Sequence, residues 1–365
     1  MKIRKLAEQV KRAASGESDD NPPTPQSFLS TGCTLLNLAL SGDPFGGFLA
    51  GKYYYLVGDS TSGKTFFSMT CFAEAAKNPD FADADLIYDN IEDGMLMDVE
   101  GLFGVEAAER IRPPAEDEEG EPIYSQTTEE FYYHLDDAIQ SGKRFIYVLD
   151  SMDGLDAKED IEKFQAQKKA HRKGTKEAGS YGMAKAKANS VGVRKALAGL
   201  RDTGSILIVI SQTRDNVGAV GFQSKKTRSG GKALRFYATA EIWTAVGGQI
   251  KKKVRKKNRN VGVKVVIKLK KNRITGTLHE VWTSIYPSYG VDDIGSNIDY
   301  LLGEEWWKKT KQIIKAKEFK LEFSREKLIK AIEANPKKVR RLGRIVGRCW
   351  KEIQEACELD RKRRY

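Results

Sequence analysis

The chain has few of the residues that build metal sites or disulfide frameworks. Cys33, Cys71, Cys349 and Cys357 are scattered over 365 residues without a C-x-x-C pair, and His134, His171 and His279 lie far apart. Neither a zinc site nor a disulfide-stapled fold is expected, and the thiols should be reduced and mostly buried. No stretch reaches the roughly 18 apolar residues that span a bilayer. The amino terminus, Met1-Lys-Ile-Arg-Lys-Leu-Ala-Glu-Gln9, lacks the apolar core of a secretory signal. No internal repeat is visible. Acidic residues are also in deficit: 50 Asp and Glu against 62 Lys and Arg leave a net charge of +12. That surplus calls for a polyanionic partner, and without a membrane segment nucleic acid is the stronger expectation. The expected compartment is the cytoplasm, or the host's cytoplasm for a viral chain.

One run of residues carries most of the functional information. Gly58-Asp59-Ser60-Thr61-Ser62-Gly63-Lys64-Thr65 fits G-x-x-x-x-G-K-[ST] at every fixed position. The β-prone run Tyr53–Val57 precedes it, and Phe66–Ala73 can continue as a buried helix. In that setting Gly58 and Gly63 let successive backbone N–H groups converge on phosphate oxygens at a helix N-terminus. Lys64 can reach the β- and γ-phosphates of ATP, and Thr65 can ligate Mg²⁺. A second element fits the same chemistry. Phe145-Ile-Tyr-Val-Leu-Asp150 is an apolar strand ending in an acid, and Asp150 can hold the same Mg²⁺ through its water shell. Hydrolysis further needs a group that orients water. Glu92, just past the strand Asp85–Asp89, is the first choice, with Asp89 as the alternative.

The organisation around these motifs is α/β. Strand-like runs at Tyr53–Val57, Asp85–Asp89, Arg144–Asp150 and Ser205–Ser211 alternate with helical segments such as Thr127–Ser141 and Met183–Arg201. Thr127-x-x-Glu130 offers a capping box and Gly142 a stop. This alternation predicts a mostly parallel sheet flanked by helices. Three further strands, Tyr237–Val246, Val261–Lys271 and Thr277–Tyr286, should extend it with antiparallel pairing. The expected division is 1–27, a short basic amphipathic helix and a Pro-rich linker; 28–302, the core; and 303–365, a small basic domain of helices without strands. Two polar segments, Lys158–Tyr181 and Arg214–Lys232, read as long functional loops. A basic run, Lys251–Arg259, falls at a hairpin tip.

Together these segments resemble RecA-family recombinases, including phage UvsX-type members. Ser30-Thr-Gly32-x-x-x-Leu36-Asn-x-Ala39-Leu is similar to the family's entry motif. Ile208-Val-Ile-Ser-Gln212-Thr-Arg resembles its strand ending in a γ-phosphate-sensing Gln. Ser229-Gly-Gly-Lys-Ala-Leu-Arg-Phe236-Tyr-Ala resembles its most distinctive stretch, and Lys268-Leu-Lys-Lys271-Asn-Arg273 its basic strand end. The resemblance implies a RecA-like P-loop ATPase core with ATP and Mg²⁺ as cofactors. Gln212 would couple the γ-phosphate to the loop that follows it. Lys271 and Arg273 would act in trans on a neighbour's γ-phosphate. Lys168, Lys169, Arg172, Lys173 and Lys176 in the first loop, and Arg214, Lys225, Lys226, Arg228 and Lys232 in the second, would face DNA. Phe236 would sit at a subunit boundary or in the core. Some residues depart from the family pattern. Asp89-Asn-Ile-Glu92 has one residue more than the usual D-x-E, the tail is basic, and Val99 falls where an aromatic would stack on adenine.

The implied function is an ATP-dependent DNA recombinase that forms helical filaments on single-stranded DNA, pairs it with a homologous duplex and exchanges strands in recombination and repair. A single-strand-binding or mediator protein is a further expected partner. Two alternatives stay open: a hexameric replicative helicase on the same core fold, and a basic single-strand annealing or regulatory ATP-binding protein without turnover.

Overall fold

A computed structural model describes residues 27–92, 96–173, 183–215, 226–228 and 230–361, except the side chains of Asp215 and Lys226. The helix and linker expected before residue 27 lie outside the described residues.

Continuous apolar strands are buried on both faces, the signature of a sheet covered by helices. Five of them run parallel at the centre: β1 (Lys52–Gly58), β2 (Asp85–Asn90), β4 (Phe145–Asp150), β5 (Ile206–Asp215) and the first part of β7 (Ala240–Val254), with a short edge strand, β3 (Ile111–Arg112), beyond β2. β6 (Lys226–Arg228) pairs antiparallel with the end of β5. From β7 the sheet continues with antiparallel strands β8 (Lys257–Asn272), β9 (Glu280–Tyr286) and β10 (Gly290–Asp292). The spatial order is β10-β9-β8-β7-β1-β5-β4-β2-β3.

Alternation along each strand divides the core into two layers. Tyr54, Leu56, Ile146, Val148, Ile208 and Ile210 join one hydrophobic cluster, which includes Phe67, Phe72 and Cys71 of helix α2 (Lys64–Lys77) and Leu35 and Leu38 of α1 (Thr34–Ser41). Tyr53, Tyr55, Tyr147, Leu149, Leu207 and Val209 face the opposite way. They pack with Phe131 and Leu135 of α3 (Thr128–Gln140) and Val193 and Leu200 of α5 (Met183–Thr203). The expected cap forms at α3 in part. Thr127 accepts from the Glu130 amide at 3.2 Å, and the Glu130 carboxylate accepts from the Gln126 amide at 2.9 Å rather than from that of Thr127.

Two expectations need correction. The segment Lys158–Tyr181 is not a loop throughout: Lys158–Arg172 is a helix, α4, with no buried residue. Glu159 and Asp160 in its first turn and Lys169, His171 and Arg172 in its last complement the helix dipole, and Lys163 pairs with Glu159 at 2.7 Å. The region after Gly303 is not helical alone. A three-stranded meander, β11 (Lys308–Thr310), β12 (Ile313–Ala316) and β13 (Leu321–Phe323), precedes helices α8 (Arg325–Glu333) and α9 (Pro336–Ala356). Ile314 and Ala316 are buried while Ile313 and Lys315 are exposed, a period of two. The turns between these strands use Lys311 and Lys320 at positive φ, so no Gly or Asn marked them in the sequence. Trp307, Ile314, Leu328, Val346 and Trp350 of this region belong to the same cluster as α2. Helix α7 (Asp293–Gly303) bridges the two parts. Among the described residues no helix is long and apolar enough to cross a membrane.

Candidate nucleotide and nucleic-acid site

The G-x-x-x-x-G-K-[ST] loop joins β1 to α2 and packs closely on β7. A Cβ on Gly58 would fall 2.2 Å from Thr244 Oγ1 and 2.6 Å from Ser62 Oγ, so only glycine fits there. Gly63 caps α2 at φ +84°, a left-handed conformation open to glycine. Ser62 Oγ donates to Asp59 O at 2.6 Å and lies 2.8 Å from Thr244 Oγ1. Ser60 and Thr61 are exposed. Lys64 is buried, and its ammonium donates to the Gly58 and Asp59 carbonyls at 2.9 and 2.8 Å. Burial lowers its pKa, opposed first by the Asp150 carboxylate.

Asp150 meets this loop from β4. Its Oδ2 accepts from Thr65 Oγ1 at 2.7 Å and from the Tyr88 hydroxyl at 2.8 Å. Burial raises its pKa, against the Thr65 and Tyr88 hydrogen bonds and the Lys64 charge. A carboxylate and a hydroxyl side by side at the start of α2 form a hard-oxygen donor set that fits Mg²⁺. Beside the loop lies a hollow of about 360 Å³ walled by Phe66, Met97, Val263, Ile285 and Pro287. These residues come from separate segments, so no motif pointed to them. Val99 is half-buried and packs against the core.

The two candidate acids have different surroundings. Asp89 is fully buried, accepting from Ser125 N at 3.0 Å, Ser125 Oγ at 2.6 Å and the Tyr147 hydroxyl at 2.8 Å. Burial raises its pKa, opposed by those bonds. Glu92 is exposed at the end of the sheet and accepts from Ser151 Oγ and, at 3.1 and 3.3 Å, from Gln212 Nε2. Gln212 itself is held from behind. Asp153, three residues past Asp150, accepts from the Gln212 amide at 2.7 Å and Ser211 Oγ at 2.8 Å, and lies 3.7 Å from Arg214. Sequence reading missed Asp153; its spacing from Asp150 was the available signal. The next residue, Thr213, donates from its hydroxyl to Asp59. Glu92, Gln212 and the phosphate loop therefore form one connected network, and Asp89 lies apart from it.

Lys271 and Arg273 do not join that network. Lys271 donates to the Arg235 and Phe236 carbonyls at 2.8 and 2.7 Å, and Arg273 to Phe236 O at 3.0 Å. The Arg273 amide bonds Thr239 O at 2.8 Å, and the Thr239 amide bonds Tyr53 O at 2.7 Å, near the start of β1. The phosphate loop begins after Gly58, about 17 Å further along the strand. Burial and the adjacent Arg273 push Lys271 down to about 8. Phe236 is 64% exposed, so it is not a core residue of the single chain.

The residues expected to face DNA are placed unevenly. Lys168, Lys169 and Arg172 are exposed on the last turns of α4, with Lys173 exposed just beyond it. Arg214 is exposed at the end of β5, and Lys232 is exposed at the start of α6 (Lys232–Tyr237). Arg228 departs from the expectation. Its side chain is 18% exposed and ion-paired at 3.2 Å with buried Glu241, which also pairs with Arg235 at 3.0 Å. Removing Arg228 would leave that buried carboxylate with Arg235 as its one ion-pair partner among the described residues, so its place is structural. Lys176 and Lys225 lie outside the described residues, as does the Lys226 side chain.

The chain is similar in sequence to known proteins over most of its length. A family model described as the RecA N-terminal domain matches residues 120–292. The chain is 29% identical to Protein RecA of Cytophaga hutchinsonii over 276 residues, covering 74% of this chain and 67% of that one. It is 25% identical to Protein RecA of Thermus thermophilus over 336 residues, covering 92% and 88%. Protein RecA of Fusobacterium nucleatum is 24% identical over 331 residues, covering 90% and 76%.

Proposed function

We propose that this chain, which belongs to the RecA family, is a DNA-dependent ATPase that assembles on single-stranded DNA and promotes homologous pairing and strand exchange. The observation that carries the reading is the position of Gln212. Its side chain meets Glu92, its amide is fixed by Asp153, and the segment expected to contact DNA begins at the next residue. A γ-phosphate seated in front of Lys64 would compete for the Gln212 amide group, and any shift there moves the start of that segment. Nucleotide state and DNA grip are thereby linked through one side chain.

Each part of the site then has a role. The backbone of Gly58–Thr65 and the Lys64 ammonium bind the phosphates, releasing Lys64 from the Gly58 and Asp59 carbonyls. Thr65 and Asp150 would hold Mg²⁺, which screens charge between the β- and γ-phosphates when bound. Glu92 orients the attacking water and accepts its proton. The apolar hollow beside Phe66 and Ile285 takes the base, by packing rather than by aromatic stacking. Lys271 and Arg273 sit too far along the sheet to serve their own phosphate loop. Their use is in trans, at the loop of the next subunit in a head-to-tail assembly. Exposed Phe236 would then be covered by that neighbour.

Single-strand contact would come from Arg214 and Lys232 with the exposed cations of α4. These are phosphate contacts, so binding should weaken steeply with salt. The deciding experiment is electron microscopy of the purified chain on single-stranded DNA with a non-hydrolysable ATP analogue, alongside Lys64→Ala protein. Helical filaments that require both the analogue and Lys64 are expected. Closed rings, or irregular clusters with no nucleotide dependence, would overturn the reading.

A further inference from the structure

The far end of the long β7–β8 hairpin, beyond Ile250, has no part in the chemistry above. From Ile250 to Gly262 neither arm pairs with any other strand among the described residues. The ribbon therefore stands free by about five residues on each side, roughly 17 Å. It leaves the sheet at the end where the phosphate loop lies, since Thr244 pairs with Gly58. Seven of the nine residues Lys251–Arg259 are Lys or Arg, and no Asp or Glu occurs between Glu241 and Glu280. All seven are exposed, and none has an ion-pair partner among the described residues.

The ribbon is built against its own stability. Lys252 lies directly across from Arg259, a like-charge pair that weakens a two-stranded ladder. Its turn is made by Arg255 and Lys256 at φ 49° and 64°, positions where Asn-Gly is the stable choice. A hairpin whose only task was to join two strands would not need cations at these places. The charges point both ways. Lys251 and Lys253 share one face, and Lys252, Lys257 and Arg259 the other, by the period of two and the pairing register. No aromatic residue occurs between Gly247 and Asn260, so the ribbon has no platform for stacking unpaired bases. A two-stranded ribbon with cations on both faces instead suits a groove walled by phosphate on both sides, and the major groove of B-form DNA admits such a ribbon.

We propose that the Lys251–Arg259 ribbon is a seat for duplex DNA, separate from the nucleotide-controlled single-strand segment. The inference deepens the recombinase reading and rests on it, because it gives the duplex partner a surface of its own. The test uses the full chain carrying Lys252→Gln, Lys253→Gln, Lys257→Gln and Arg259→Gln, and a second variant with Arg255→Asn and Lys256→Gly. The second keeps a favoured turn and guards against loss of the hairpin. Binding to a DNA duplex is measured across salt, with single-strand-stimulated ATP hydrolysis alongside. Each lost phosphate contact should reduce the salt slope by about 0.9, so by up to about 3.6 in the first variant and about 1.8 in the second. Duplex affinity should fall at least about tenfold, while stimulated hydrolysis stays within about twofold. An unchanged duplex slope in both variants would overturn the proposal. So would an equal loss of single-strand binding, which would place the ribbon in the primary site. An RNA duplex, whose major groove is too narrow for the ribbon, should show a smaller effect; equal losses on both duplexes would refute groove seating. Failure of the unmodified chain to hydrolyse ATP with single strands would remove the recombinase reading, leaving the duplex measurement to decide the ribbon.

Discussion

Glu92 and Asp89 can be separated by asking which substitution harms the fold and which harms turnover. Asp89→Asn keeps the shape but leaves one acceptor oxygen for two Ser125 donors and the Tyr147 hydroxyl. One or two charge-assisted bonds are lost, each of the order of 1.5–3 kcal/mol. Part of that loss is recovered, because burial already disfavours the Asp89 charge. A net destabilisation of about 1–3 kcal/mol remains. With an unfolding entropy of about 2.1 cal/mol/K per residue, a chain of 365 residues loses about 1.3 °C in Tm per kcal/mol. Asp89→Asn should therefore melt about 1–4 °C lower, with turnover within about threefold of the parent. Glu92→Gln should do the opposite. Glu92 is exposed, so the melting point should hold within about 1 °C. Hydrolysis should drop by about 10²–10⁴, the usual weight of a general base, with nucleotide binding retained. Differential scanning fluorimetry and single-strand-stimulated phosphate release measure both. Turnover abolished by Asp89→Asn at an unchanged melting point, with Glu92→Gln active, would reverse the assignment.

Two further expectations concern the trans pair. Lys271→Ala with Arg273→Ala should bind ATP yet fail to complete a neighbour's site; mixed with Lys64→Ala protein it should regain part of the turnover, and no recovery at any ratio despite co-assembly would argue against action in trans. Assembly with ATP should also depend on pH. Lys271 lies near 8 in the free chain and rises when it meets an anion, so docking takes up a proton above that pH. Association should weaken as pH rises through 8, by up to about tenfold per unit at each contact; light scattering reads it, and Lys271→Arg, which stays charged, should flatten the profile. An unflattened slope would place the titrating group elsewhere.

Much of the fold was legible because its central strands are unbroken apolar runs flanked by helix and turn signals. Tyr53–Val57 and Phe145–Asp150 could be read without any partner strand in view. The Lys64, Thr65 and Asp150 cluster was legible for a related reason: phosphate chemistry fixes residue types at short spacing. What escaped depends on contacts between distant segments. Nothing near Asp89 in the sequence announces that Ser125 and Tyr147 enclose its carboxylate. Arg228 reads as a loop cation until Glu241 is found beneath it. The helix Lys158–Arg172 was hidden because it buries nothing and so has no apolar stripe. The meander at 308–323 was hidden because lysines, not glycines, make its turns.

The direction of β1 has a consequence for how an assembly grows. Each subunit has an open phosphate loop at one end of that strand and the Lys271–Arg273 pair toward the other. Under the trans arrangement proposed above, a row of subunits has two unlike tips, one presenting a nucleotide bed with no visiting cations and the other presenting cations with nothing to visit. A row of n subunits then holds n − 1 finished sites. Specific activity climbs with length toward a plateau, and a lone subunit turns over nothing. A subunit lacking Lys271 and Arg273 would poison only the joint at which those residues are needed. Small amounts of it should therefore leave assemblies long but interrupt turnover at isolated joints.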